Sequence, residues 1–234
     1  MPSIDQIINR QFKQWESEQV RRDEEVSTVV IPPSIVTVSR EHGSRGSYFA
    51  LRLSQEMGFE RMHRQVIEAI CDSTGYRKQI VESIDEKYRS TMATLVDSML
   101  FGQAVDHTDY ARNLCTVVLS VAKLGGVVLV GRGGSFILGP QTGFHIRVVC
   151  PIEKRIANLI KHSSFSESEA VESIKKTDNE RREMIRKLFN ADLDDPRNYD
   201  MIVNSAYIDI EEMVQMAMLA VTAKRDKVTR LQNV

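Results

Sequence analysis

The chain has 234 residues, 42% of them hydrophobic and 27% charged, with a formal net charge of -1. That balance argues against a broad basic face for nucleic acid, and neither a signal segment nor an apolar run of the ~18 residues that span a bilayer is found; a cytoplasmic chain without nucleic-acid or membrane partners is expected. Cys71, Cys115 and Cys150 are odd in number and lack CxxC spacing, which excludes an obvious disulfide framework or zinc centre.

Between Ile4 and Asp23, the residues Ile4, Ile7, Ile8, Phe12, Trp15 and Val20 recur at helical spacing with polar residues between them, predicting an amphipathic helix. The linker EEVSTVVIPPS follows, and Pro32-Pro33 forbids a continuing helix. Residues 1–33 therefore read as an appendage to a domain over 34–234. Its apolar face has two uses open to it: packing on its own domain, or isologous pairing of two copies through Ile4, Ile8, Phe12 and Trp15.

Beyond the linker, β-branched runs alternate with helical stretches: IVTVS at 35–39, a weaker FERMH at 59–63, VVLVG at 127–131, FHIRVVC at 144–150 and MIVNS at 201–205. Near-continuous apolar strands separated by helices predict an α/β fold with a parallel sheet covered on both faces. Residues 64–124 read as unusually rich in helix and form an insert large enough for a lid or a substrate-side wall. Ser166 with Glu169 has the capping-box pattern, opening a helical stretch that ends in the very basic NERREMIRK.

The stretch SREHGSRGSYFA, Ser39 to Ala50, joins the first strand to a helix. Such a turn offers unpaired N–H groups and the positive end of a helix dipole to an anion. Gly43 and Gly46 allow close backbone approach, and Ser44 and Ser47 add hydroxyl donors. The full GxxxxGK[ST] pattern is not met: with Gly46 as its last glycine, the lysine position falls on Ser47 and the metal-side hydroxyl position on Tyr48. Of the nearby arginines Arg40, Arg45 and Arg52, Arg45 is the one expected to point into the loop.

Taken with VTVSREHGSRG, the segments VVLVGRGGSFIL, HIRVVCPIEKRIANLI, KKTDNERREMIRKLFNADLDDPRNYDMIVNS and the helix after YIDIEEM make the chain, from about Ser34 to Ala220, resemble the cytidylate kinase-like family of P-loop nucleoside monophosphate kinases. The likeness is to the branch whose loop reads SRxxGSGGRE. It implies a P-loop NTPase-like three-layer fold with a five-stranded parallel sheet, a helical insertion at 64–124 for the monophosphate, and a short lid near 176–192. ATP would be the donor, CMP or a similar monophosphate the acceptor, and Mg²⁺ would be held mainly by phosphates with Ser44 or Ser47. Carried over residue by residue, Gly43, Ser44, Arg45, Gly46 and Ser47 form the phosphate loop, with Asp178 and Arg181 on the nucleotide side. Arg132 faces the acceptor phosphate, and Arg182 and Arg186, four apart on one helix face, join it as catalytic groups.

The chain departs from that pattern at the third loop glycine, which is Arg45, and at the following arginine, which is Ser47. His63 stands for an aspartate after the second strand; it is given a place near the site but no catalytic role. Val130 and Gly133 replace two aspartates beside Arg132. Tyr110 reads as core packing and Asp195 as turn chemistry before Pro196. These losses open a second reading: a nucleotide-binding module that has lost its chemistry and acts through a partner or oligomer.

Overall fold

The computed structural model describes residues 3–24, 35–100 and 108–232. The linker carrying Pro32-Pro33 lies outside them. Five strands, β1 (Ile35–Arg40), β2 (Glu60–Met62), β3 (Val127–Val130), β4 (Phe144–Val149) and β5 (Met201–Asn204), form one sheet in the order β2-β3-β1-β4-β5, every neighbouring pair parallel. β1 lies at the centre, with β3 and β2 on one side and β4 and β5, reached later in the chain, on the other. The loop after β1 thus opens at the topological switch point, where open parallel sheets present a crevice.

The sheet carries helices on both faces. One face holds α1 (Ile4–Glu24), α3 (Arg64–Asp72), α4 (Thr74–Glu82), α5 (Glu86–Leu100), α6 (Thr108–Leu124) and α7 (Gly134–Leu138). On the other, α2 (Gly46–Met57) packs with α10 (Ile210–Gln232) through Phe49, Leu53, Met213 and Ala217. The remaining pair, α8 (Ile152–Ser163) and α9 (Glu167–Phe189), packs through Leu159, Ala170 and Ile174. The expected capping box at Ser166 and Glu169 opens α9. Within the helical insert, α4 stops at Glu82, and Asp85 restarts the chain as α5 by accepting the Tyr88 N–H at 2.8 Å.

The first helix packs on its own domain. Ile8, Phe12 and Trp15 are buried, and the Trp15 indole N–H donates to the Gly125 carbonyl at 2.8 Å, just before β3. Arg10 pairs with Glu60 of β2, and the Tyr76 hydroxyl donates to Asp5. A pairing of two copies through Ile8, Phe12 and Trp15 would have to undo this packing.

Within the sheet, the buried His145 is fully engaged. Its Nδ1 lies 2.8 Å from the Thr37 hydroxyl and its Nε2 2.8 Å from the Gly139 carbonyl, which fixes a neutral ring donating from Nε2. Burial pushes its pKa below the usual histidine value, as it does for His42 and His63. A neutral group in the folded state that protonates when unfolded contributes stability that is complete above about pH 6.5 and lost as pH falls. Urea midpoints should fall between about pH 7 and 5, and His145→Gln should flatten that slope; an equal slope in the variant would assign the effect elsewhere.

Candidate active site

The chain from Glu41 to Arg45 is held from four sides. The Glu41 N–H donates to the Val148 carbonyl, and the Glu41 carboxylate accepts from the Cys150 N–H. Asn158 of α8 donates to the Gly43 carbonyl at 2.9 Å, and the Ser205 hydroxyl beyond β5 donates to the Ser44 carbonyl at 2.7 Å. From α9, Asp178 accepts the His42 N–H at 2.9 Å, while Ser173 lies 3.0 Å from the His42 ring. The Ser44 hydroxyl turns inward, donating to the Glu41 carbonyl and accepting from the Gly46 N–H. The N–H groups of Gly43, Arg45 and Ser47 are left without a partner among the described residues. Three free donors at the start of α2 make an anion cradle.

Gly43 has a positive φ of 81°, and a Cβ there would come within 2.8 Å of the Arg155 carbonyl oxygen, so this position admits only glycine without strain. Arg45 also sits in the left-handed region, at φ 60°, a conformation that favours glycine. Its guanidinium lies over the exposed Tyr48 ring, 5.1 Å from the centroid, at the wall of the loop cavity and not across it. Arg45→Gly should therefore raise stability by about 1 kcal/mol through relief of the backbone. A chemical melt showing a loss instead would make the Tyr48 contact the larger effect.

Arg40, at the end of β1, is the half-buried cation at the loop, the place expected of Arg45. Its Nε donates to the Ser47 hydroxyl at 3.3 Å and it has no carboxylate partner among the described residues. Burial, then the nearby Arg181 and Arg132, push its pKa down to about 9. An arginine held this unfavourably marks a place where an anion would be welcome. Arg181 reaches in from α9, donating to the Arg40 carbonyl at 2.8 Å, and is likewise depressed by burial.

Arg40 and Arg181 stand between two recesses. One, of about 340 Å³, lies against the loop from His42 to Tyr48 and the end of α8 at His162. The other, of about 50 Å³, lies beyond β3 against Gly131, Arg132, Ser135 and Met184. Arg132 pairs there with Glu68 of α3. Its Nε and the Tyr110 hydroxyl are both buried with no partner among the described residues. Tyr110 packs against the core as expected, but its hydroxyl is a spare polar group beside Arg132 and Glu68, with its pKa raised chiefly by burial.

Of the residues singled out from the sequence, Gly43, Arg45, Gly46, Ser47 and Arg181 meet at the loop cavity, and Arg132 meets Arg181 in the second recess. Asp178 is buried and spent on the protein: besides the His42 N–H it binds Arg155 of α8 at 2.5 Å and Arg181 at 3.3 Å. It positions the loop. Arg182 points outward to Asp194, which also binds the buried Arg147, and Arg186 is exposed. Neither reaches the loop in this conformation. His63 lines neither recess. Arg155 and Arg147, which sequence reasoning passed over, sit in segments that look like an ordinary helix and strand. No group of three histidine, cysteine or carboxylate side chains suited to a metal ion occurs among the described residues, nor any helix long and apolar enough to cross a membrane.

Residues 35–207 match the cytidylate kinase-like family. A cytidylate kinase from Ignicoccus hospitalis is 22% identical over 182 residues, covering 78% of this chain and 95% of that protein. A uronate isomerase from Corynebacterium glutamicum is 24% identical over 190 residues, 77% of this chain, but the chain spans only 36% of that protein's length. Among solved structures, an uncharacterized protein from Eubacterium ventriosum superposes with a TM-score of 0.64 at 18% identity, covering 81% of this chain and 98% of that one. That likeness shows the fold.

Proposed function

We propose, for a chain that belongs to the cytidylate kinase-like family, that it transfers the γ-phosphoryl group of ATP to a nucleoside monophosphate, CMP or a close relative. The observation that carries this reading is the position of Arg40 and Arg181 between the loop cavity and the recess holding Arg132. Donor phosphates on the free N–H groups of the loop and an acceptor phosphate at Arg132 would face each other across these guanidinia. As the bond from the γ-phosphorus to the bridging oxygen breaks, one to the acceptor's phosphate oxygen forms and ADP leaves. The reaction asks for in-line placement and cations around the charged oxygens more than for covalent help.

Mg²⁺ fits this site through the nucleotide. Such an ion keeps several waters and is held largely by substrate phosphates, so no carboxylate cage is required. With the Ser44 hydroxyl turned inward, the exposed Ser47 hydroxyl is the protein group left to meet it.

The alternative, a nucleotide-responsive module without turnover, is favoured by one observation: no lysine enters the loop, and Arg182 and Arg186 stay outside it. ATP with Mg²⁺ and a panel of nucleoside monophosphates, run beside Arg132→Ala, separates the two. Turnover of one acceptor that the variant abolishes supports the kinase. ATP binding with no product from any acceptor supports the module.

A further inference from the structure

A third cavity, of about 510 Å³, lies along the edge strand β2. It runs between α2, lined by Leu51, Ser54 and Gln55, and the segment Phe59 to His63, with Ile7 and Arg10 of α1 at its rim. None of its lining residues borders either recess of the active site.

Its charges do not cancel. Glu60 is the single carboxylate in the lining, and Arg10 already occupies it at 2.8 Å. Arg61 is half-buried and makes one long hydrogen bond, from Nη1 to the Ser47 carbonyl at 3.4 Å. Most of its guanidinium fork has no partner among the described residues. The half-buried His63 ring makes no hydrogen bond among the described residues either, and burial, then the nearby Arg61, disfavours its protonation. A cation and an imidazole held with unused donors beside the apolar surfaces of Leu51, Phe59 and Ile7 suit a ligand with an anionic end and an apolar or planar body.

We propose that this cleft is a second ligand site, taking a phosphate-bearing small molecule of nucleotide size with its phosphate on Arg61 and His63. The Arg61 bond to Ser47 ties the site to the first turn of α2, where the phosphate loop ends. Occupancy of the cleft would draw on the same guanidinium that braces Ser47, so the site can regulate the loop. Ile7 and Arg10 of α1, which supply part of the rim, lie outside the residues 35–207 that match the family.

The test is a titration of the full chain with AMP, followed by backbone-amide NMR. Amides of residues 59–63 and of Ile7 and Arg10 should shift as one binding event. Arg61→Gln should weaken that event about tenfold, the usual effect of losing a charge-assisted contact. Leu51→Trp, which fills the cleft, should abolish it and serves if Arg61→Gln fails to fold. No shift at residues 59–63, or an affinity there indifferent to both variants, overturns the proposal. Inorganic pyrophosphate binding as tightly as AMP would overturn the nucleotide-sized ligand. A separate titration with ATP reads the loop, so failure of the kinase reading would show as silence at residues 43–47 in that titration while the AMP response at residues 59–63 persists.

Discussion

Arg132→Ala should lower kcat for phosphorylation of the accepted monophosphate by about a thousandfold, the scale seen when a guanidinium on a transferring phosphoryl group is lost. Stability should change little. Glu68, the partner left behind, also pairs with Arg64 at 3.1 Å and is partly exposed, so no buried carboxylate is stranded. The backbone gains nothing from alanine, because Arg132 sits at φ 56° and alanine is no more at ease there. Arg132→Lys keeps the charge without the planar fork and should recover only part of the rate. Initial rates with a parallel thermal melt decide the matter: a variant keeping a tenth or more of the activity would move the acceptor phosphate away from Arg132.

Asp178→Ala should be the most damaging single change to the fold of the site. Breaking a buried ion pair from one side costs about 3–5 kcal/mol, because the surviving charge has no solvent to turn to. Here that charge is Arg155, whose remaining carboxylate, Glu41, stands 3.7 Å away. The His42 N–H loses its acceptor in the same step. Urea unfolding should register the loss, and ATP affinity should fall with it as the loop loosens. The double variant Arg155→Met/Asp178→Leu should regain most of the stability without the binding, since apolar pairs can replace buried ions but cannot hold an amide. An Asp178→Ala protein with an unchanged midpoint would show that the pair contributes nothing.

The sheet was legible because its inner strands β1, β3 and β4 are buried along most of their length and so read as near-continuous apolar runs; even the three-residue edge strand β2 left a trace in FERMH. The loop was legible through Gly43 and Gly46, whose close approaches no other residue can make. The arginines were harder. Arg40 and Arg45 look alike in sequence, and only the strand direction and the left-handed turn at Arg45 decide which of them is buried. On α9, a helical face shared by Arg182 and Arg186 says nothing about which face meets the loop. The buried Asp178 settles that by turning Arg181 inward. Arg155 gave no local sign at all, because its partner lies 23 residues away on another helix.

The burial of Ile8, Phe12 and Trp15 under the sheet bears on how the protein should be handled. The family match covers residues 35–207, but the unit that folds is longer at both ends, since Met213, Val214, Ala217 and Val221 of α10 complete the opposite layer. An expression boundary drawn at the family match would cut through both hydrophobic clusters. Insolubility of such a fragment would then be a property of the cut and not of the chain.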